Sequence, residues 1–188
     1  MKNSKSVLAE NFRDSHKSEG AIPKGKEHMF RTKNTIPEKI RIQMSAILQD
    51  RLADSIDLVI QAKQAHWNVK GPDFIALHEL FDKIAEEAEE YPDLIAERIA
   101  QFGGVAEGTI RVASSRTSLP EYPLTITTGK QHIESLSYAL ATYGELVRTA
   151  INQASELNDP ATADIFTQVS RSVDKNLWFI EAHNQTEK

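Results

Sequence analysis

The chain has 188 residues, 40% of them apolar, which suits one domain with a sizeable core. It contains no cysteine, which excludes thiolate metal sites and disulfides and leaves His, Asp and Glu as the strong metal ligands. No run of about 18 apolar residues is present, so we expect no membrane span. The N-terminus lacks the apolar stretch of a secretory signal, and a cytoplasmic protein is the expectation.

The net charge of −5 is unevenly distributed. Residues 1–35 carry eight Lys or Arg against four acids, or +4, whereas the remainder carries 14 basic and 23 acidic residues, or −9. Residues 1–34 are polar and show no sustained period, which predicts a flexible basic tail. The tail could bind DNA, or it could be only a solubilising extension. The candidate DNA-binding residues are Lys2, Lys5, Arg13, Lys17, Lys24 and Lys26.

Two long helices are predicted after the tail. A capping-box pattern at residues 35–38, with Pro37 in the first turn, begins a first helix that ends near Asn68. Apolar residues recur along it at helical spacing. After a Gly-Pro break, a second helix is predicted over about residues 73–102. Pro92 in its interior should remove one backbone hydrogen bond and bend the helix.

The second half of the chain contains a long connection and two more helices. Residues 103–128 are rich in Gly and Pro and are long for a link between adjacent helices. They should cross the bundle and hold a short helix near residues 109–115. A third helix is predicted over about residues 129–157 with Thr128 as its cap. A fourth follows an Asn-Asp-Pro start signal and covers about residues 160–183.

These elements predict an all-α fold, because no strand and no internal repeat is apparent. Four long helices with one long crossover between the second and the third are typical of the ferritin-like bundle. We therefore divide the chain into the tail at residues 1–34, a bundle at 35–184 and a short C-terminal end at 185–188.

Two pairs of ligand-type side chains lie on one face of the second predicted helix. His78 and Asp82 are four residues apart, as are Asp93 and Glu97, so each pair projects side by side. The pairs are within about 20° of exact alignment, but about 16 Å apart along the axis, too far for one ion. Two such helices, antiparallel across a twofold contact, would place one pair opposite the other twice. His66, at the end of the first helix, could complete a shared metal site. Taken alone, such a pair on a long acidic helix is usually just solvated surface.

A longer motif surrounds these residues. It reads His66-Trp67-Asn68-Val69-Lys70-Gly71-Pro72-Asp73-Phe74, Leu77-His78-Glu79-Leu80-Phe81-Asp82, Asp93, Ala96-Glu97-Arg98 and Gly103-Gly104. The last helix adds Asp159, Thr162-Ala163-Asp164, Asp174-Lys175, Leu177-Trp178-Phe179 and Glu181-Ala182-His183. Over about residues 36–184 the chain resembles the Dps proteins, the miniferritins named for starved cells. The Glu-x-x-His pair of larger ferritins is absent from the sequence.

The resemblance implies a twelve-subunit shell with ferroxidase centres at its twofold interfaces. His66, His78 and Asp82 would come from one subunit, and Asp93 and Glu97 from its partner, and all five match the family residue types. The resemblance also implies Fe(II) as the substrate and hydrogen peroxide as the preferred oxidant, with oxygen as a second one. Fe(III) would be stored as a mineral, which would protect DNA. Zinc is a candidate competitor for the same ligands.

Other residues near these motifs have candidate roles. Pro92 directly precedes the ligand Asp93, which departs from the usual pattern and bears on the geometry of that ligand. Trp67 could quench one-electron intermediates or simply pack. Asp159 and Asp164 lie near where the resemblance implies an acidic threefold channel for iron, although Asp159 could also be only a helix N-cap.

A second interpretation is an architectural DNA-binding protein whose iron site is secondary. Twelve copies of a +4 arm would bind phosphates through avidity, with a steep dependence on salt. Against this, the arm also carries four acids, and its only aromatic residues are Phe12 and Phe30. A protein of this kind would associate with the nucleoid. A bare helical scaffold would leave the aligned ligand residues unexplained.

Overall fold

The computed structural model describes residues 29–185. The six candidate DNA-binding residues and most of the predicted tail lie outside this part of the chain. Residues 29–34 are described, and they already contact the helical body. The backbone N–H of Phe30 donates to the carbonyl of Gly103 at 2.7 Å, and Met29 packs against the core.

The first long helix, α1, spans Glu38–Asn68. Its predicted capping box is wrong, because the N-cap is Pro37 (φ −53°, ψ 138°) and no side chain caps the helix. The carbonyl of Pro37 instead accepts the N–H groups of Ile40 and Arg41 at 2.9 and 3.1 Å. With the helix beginning only at residue 38, Thr35 is too far back for its hydroxyl to serve as the cap.

The second long helix is bent, as predicted from its proline. It consists of α2 (Phe74–Ala88) and α3 (Glu90–Gln101), and between them Glu89 keeps helical dihedral angles (φ −62°, ψ −22°). Pro92 has no N–H to donate to the carbonyl of Ala88, so the hydrogen-bond ladder is interrupted beside Glu89. The bend therefore separates the segment that carries the first ligand pair from the segment that carries the second.

The crossover and the last two helices agree with the prediction. A short helix, α4, spans Ile110–Arg116 within the crossover. The third long helix, α5, spans Gly129–Glu156 and begins with a capping box formed by Thr128. The fourth, α6, spans Pro160–Glu181, with Asp159 as its N-cap and the proline in its first turn.

The core lies between α1, the bent α2–α3 helix, α5 and α6. Its largest fully buried side chains include Met44, Leu48, Phe81, Ile95, Phe102, Leu136, Tyr143 and Phe166. Residues 29–185 contain one isolated bridge, between Lys70 and Thr128, and no strand. No helix in this range is long and apolar enough to cross a membrane. The predicted all-α bundle of four long helices with one crossover is confirmed.

Candidate metal centre

His66, at the end of α1, and His78, in the second turn of α2, are locked together by two reciprocal hydrogen bonds. The Nδ1 of each ring lies 2.8 Å from the backbone carbonyl oxygen of the other residue. The rings stack, with centroids 3.8 Å apart and planes 21° apart. Because a carbonyl oxygen only accepts, both Nδ1 atoms carry the proton, and in the neutral rings both Nε2 atoms keep a lone pair. A histidine held in this way is prepared to bind a metal through Nε2.

Asp82, one turn after His78, lies beside the histidine pair. Its Oδ1 is 3.8 Å from Nδ1 of His66, and the same oxygen accepts a hydrogen bond from the ammonium of Lys63. That hydrogen bond lowers the pKa of the Asp82 carboxyl and raises the pKa of Lys63. The carboxylate is therefore ionised at neutral pH and is already occupied by a cation from its own chain.

Lys63 is absent from the sequence-based set of site residues, although a signal for it exists. It precedes His66 by three residues on α1 and therefore lies on the same face of that helix, one turn earlier. The sequence alone does not show how α1 packs against α2. That packing places the Lys63 ammonium at Asp82 and not in solvent.

Asp93 and Glu97 lie apart from this cluster. Both are exposed on α3, about 16 Å along the helix axis from the first pair if the helix were straight. Within residues 29–185, no three His, Asp or Glu side chains are arranged to hold one metal ion. His66, His78 and Asp82 are neighbours within one subunit, whereas Asp93 and Glu97 are exposed elsewhere on the bent helix.

The histidine pair is bordered by exposed apolar side chains. Trp67 is 62% exposed, and Ile60 precedes it by seven residues, which places both on the same face of α1. On α2, Ile75 is 60% exposed, and the ring of Phe74 lies 5.0 Å from that of His78. Several exposed apolar side chains on neighbouring helices are typical of a surface that another protein covers.

A third histidine, unlike His66 and His78, is fully buried. His132, on the first turn of α5, is 1% exposed, and its Nδ1 lies 2.7 Å from the hydroxyl oxygen of Tyr122. Burial lowers the pKa of His132, and burial raises the pKa of Tyr122. The phenol stays protonated and can donate to a neutral imidazole.

The two pore candidates differ sharply in their surroundings. Asp159 is 1% exposed, accepts a hydrogen bond from Nη2 of Arg98 at 2.8 Å, and caps α6 by accepting the N–H of Thr162 at 3.1 Å. Its carboxylate pairs with Arg98 and caps α6 inside the subunit, which is the N-cap role that the sequence left open, and its place in a pore stays a prediction. Asp164 is exposed and stays a pore candidate.

Comparisons with known proteins agree with this architecture. Residues 45–188 match the family described as "Ferritin-like domain". A DNA protection during starvation protein of Agrobacterium fabrum is 44% identical over 155 residues, which cover 82% of this chain and 96% of that relative.

Solved structures give the same result. DpsA14 from Streptomyces coelicolor matches with a TM-score of 0.81 and 30% identity, covering 86% of this chain and 96% of that one. The tetragonal form of Mycobacterium smegmatis Dps matches with a TM-score of 0.78 and 28% identity, covering 84% and 96%. By its sequence and its fold, the chain belongs to the Dps family of ferritin-like proteins.

Proposed function

We propose that this protein oxidises Fe(II) at centres shared between neighbouring subunits of a twelve-subunit shell and stores the Fe(III) product inside. Each centre takes His66, His78 and Asp82 from one subunit, and Asp93 and Glu97 from its partner. Iron is the substrate of this reaction. The name of the Agrobacterium relative, DNA protection during starvation, supports protection of DNA as the outcome.

The observation that carries the proposal is the reciprocal locking of His66 and His78. Both Nδ1–H groups are used on backbone carbonyls, so the two Nε2 atoms remain for a metal, and the Asp82 carboxylate lies on the same cluster, 3.8 Å from Nδ1 of His66. Imidazole and carboxylate together suit Fe(II), and a site with few protein ligands leaves coordination positions open for an oxidant.

The sharing between subunits rests on the separation of the two ligand pairs. Asp93 and Glu97 are exposed, and the period of a straight helix would align them with His78 and Asp82; the helix bends between the pairs. An antiparallel partner helix would bring the two acids opposite the histidines, and the twofold axis would repeat the arrangement. The apolar border that includes Trp67 supports such a contact, since it would otherwise face water.

The chemistry of the proposed reaction is a two-electron transfer. Hydrogen peroxide takes one electron from each of two Fe(II) ions and, with two protons, becomes two waters. The imidazoles and carboxylates hold the Fe(II) ions and offset their charge, and oxygen is the slower alternative oxidant. Trp67, next to His66, either packs in the twofold contact or supplies an electron to one-electron by-products. Zinc would compete for the same ligands.

A second function, DNA binding through the arm, is favoured by one observation, the charge of +4 on residues 1–35 against −9 on the remainder. Twelve arms on one shell would add many weak phosphate contacts. We propose this as an accompaniment to iron oxidation, in a protein that is cytoplasmic and associated with the nucleoid.

The test of the main proposal is stopped-flow absorbance of Fe(II) oxidation, with the particle mass measured on the same sample. We expect a particle of about 250 kDa, twelve times 21.1 kDa, that oxidises Fe(II) faster with peroxide than with oxygen. His66→Ala should lose this activity, and the matched control His183→Ala, at an exposed histidine, should keep it. A sample containing only monomers or dimers would contradict the shell, and full activity in His66→Ala would contradict the centre.

A further inference from the structure

The ammonium of Lys63 binds the carboxylate of Asp82, which is one of the three ligands that each subunit contributes as His66, His78 and Asp82 in the proposed centre. This ammonium donates to Oδ1 of Asp82, the same oxygen that lies 3.8 Å from Nδ1 of His66. Both partners are only partly exposed, with 25% of the lysine side chain and 35% of the aspartate side chain accessible. The positive charge of the lysine is therefore next to the position that a divalent ion bound to Asp82 would take.

From this geometry we infer that Lys63 is an exchangeable internal cation, which holds Asp82 while the centre is empty and must release it before Fe(II) can bind there. The inference rests on the proposed function and adds a residue that regulates metal affinity at the same site. Lys63 is a positioning residue, because it contacts a ligand and not the iron.

The empty centre has a physical reason to keep such a cation. In the shared arrangement, Asp82 of one subunit faces Asp93 and Glu97 of the next, so three carboxylates meet without a metal. Carboxylates that share one site repel one another, and one ammonium offsets part of that repulsion. The lysine thereby lets the subunit interface form before iron arrives.

The same cation opposes metal binding. A divalent ion at Asp82 either breaks the lysine contact or sits beside a positive charge, and both reduce its affinity. Glu86 and Glu89, on the same stretch of the bent helix, also attract the Lys63 ammonium electrostatically. An ammonium released from Asp82 therefore has other carboxylates nearby, so replacing it by a metal ion does not leave the lysine charge unpaired.

Isothermal titration of the intact, metal-free shell with Zn²⁺ tests this without any redox step. Lys63→Met keeps the length of the side chain and removes its charge. Asp82 stays ionised at neutral pH in this variant, since an ordinary aspartate pKa is about 3.9. We expect the zinc affinity to rise about fivefold, the size of a partly exposed ion pair. Lys63→Arg keeps the cation and should stay within about twofold of the wild type.

The matched control is Lys83→Met. Lys83 follows Asp82 in sequence, but its Nζ lies 5.9 Å from the centre of the Phe179 ring on α6, so it contributes charge near the site without holding the carboxylate. Its replacement should change the zinc affinity by less than about twofold. His66→Ala identifies the binding site and should weaken zinc binding strongly.

The outcomes separate the inference from the proposed function. Binding that depends on His66, with no tightening in Lys63→Met, would overturn the role of Lys63 and leave the centre standing. An equal rise in zinc affinity in Lys63→Met and Lys83→Met would also overturn it, because the loss of any nearby positive charge would then explain the result. Zinc binding that is insensitive to His66→Ala would overturn the proposed centre and this inference together.

Discussion

His66 and His78 each donate Nδ1–H to the backbone carbonyl of the other, at 2.8 Å in both directions. The pair therefore does two things at once, since it ties the end of α1 to the start of α2 and it directs two Nε2 lone pairs away from the backbone. These two effects can be separated by choosing substitutions that keep one and remove the other.

His78→Asn should weaken metal binding while leaving the fold intact. The amide nitrogen of asparagine takes roughly the position of Nδ1 and can still donate to the carbonyl of His66, but nothing replaces Nε2. We expect metal affinity to fall at least tenfold, with stability close to the wild type. His78→Ala loses the hydrogen bond as well and should cost about 1 kcal/mol more in stability. Zinc titration measures the metal affinity, and urea unfolding measures the stability. Equal stability of His78→Asn and His78→Ala would show that the hydrogen bond to the carbonyl of His66 does not stabilise the fold.

Subunits with complementary defects should restore activity when mixed. Shells made only of His78→Ala/Asp82→Ala chains, or only of Asp93→Ala/Glu97→Ala chains, should not oxidise Fe(II) with peroxide. In a mixed twofold pair, one centre receives both defects and the other receives none. Co-assembled shells should therefore recover activity, approaching half of the wild-type rate if every pair is mixed.

The control for this experiment is differential tagging of the two chains, which shows that mixed shells exist. Mixed shells without recovered activity would mean that all five ligands act within one subunit. The separation of about 16 Å that a straight helix would give makes that arrangement hard to build.

Asp159 and Asp164 should give opposite results when they are neutralised. Asp159→Ala leaves the buried guanidinium of Arg98 without its partner, and such a loss typically costs about 3 kcal/mol or more. It should lower the unfolding temperature of the shell markedly. Asp164→Asn removes an exposed carboxylate and should leave stability unchanged while slowing iron uptake. Normal uptake by Asp164→Asn would remove Asp164 as a pore candidate.

The stability of the fold should depend on pH through His132. Because burial lowers its folded-state pKa, the unfolded chain binds more protons below the ordinary pKa of about 6.5. The stability due to this shift is fully present above that value and is lost as the pH falls through the folded-state pKa. His132→Asn does not titrate, and its amide oxygen can still accept from Tyr122. Urea midpoints at about pH 7.5 and about pH 5.5 should differ less in the variant than in the wild type. An identical difference would exclude His132 as the cause.

Removal of the basic arm should separate DNA binding from iron chemistry. A chain without residues 1–28 keeps residues 29–34, which contact the body through Phe30 and Gly103. It should oxidise Fe(II) normally but retard DNA less, and high salt should have the same effect on the full-length shell. DNA retardation by the truncated shell equal to that of the intact shell would show that the arm is not the DNA-binding element.

Much of the fold could be predicted because its signals are local. Apolar periodicity, the capping box at Thr128 and the Asp-Pro start of α6 depend on residues within one or two turns. The bend near Pro92 follows from a missing N–H, which is a property of one residue. The capping box at residues 35–38 has the same local form, yet Pro37 takes the cap position. Several neighbouring residues could serve as the N-cap, and the backbone dihedral angles decide which one does. A pattern of residue types does not specify those angles.

The sequence by itself determined the helices and the alignment of His78, Asp82, Asp93 and Glu97 on one helical face, since helical period alone sets both. Only the tertiary structure decided which charges meet. The ion pair of Lys63 with Asp82, the burial of Asp159 against Arg98 and the mutual hydrogen bonds of His66 and His78 all join residues from different helices. These contacts depend on the angle and offset at which two helices cross, which many side chains of the core set together. The spacing of residues along a single helix does not determine that angle.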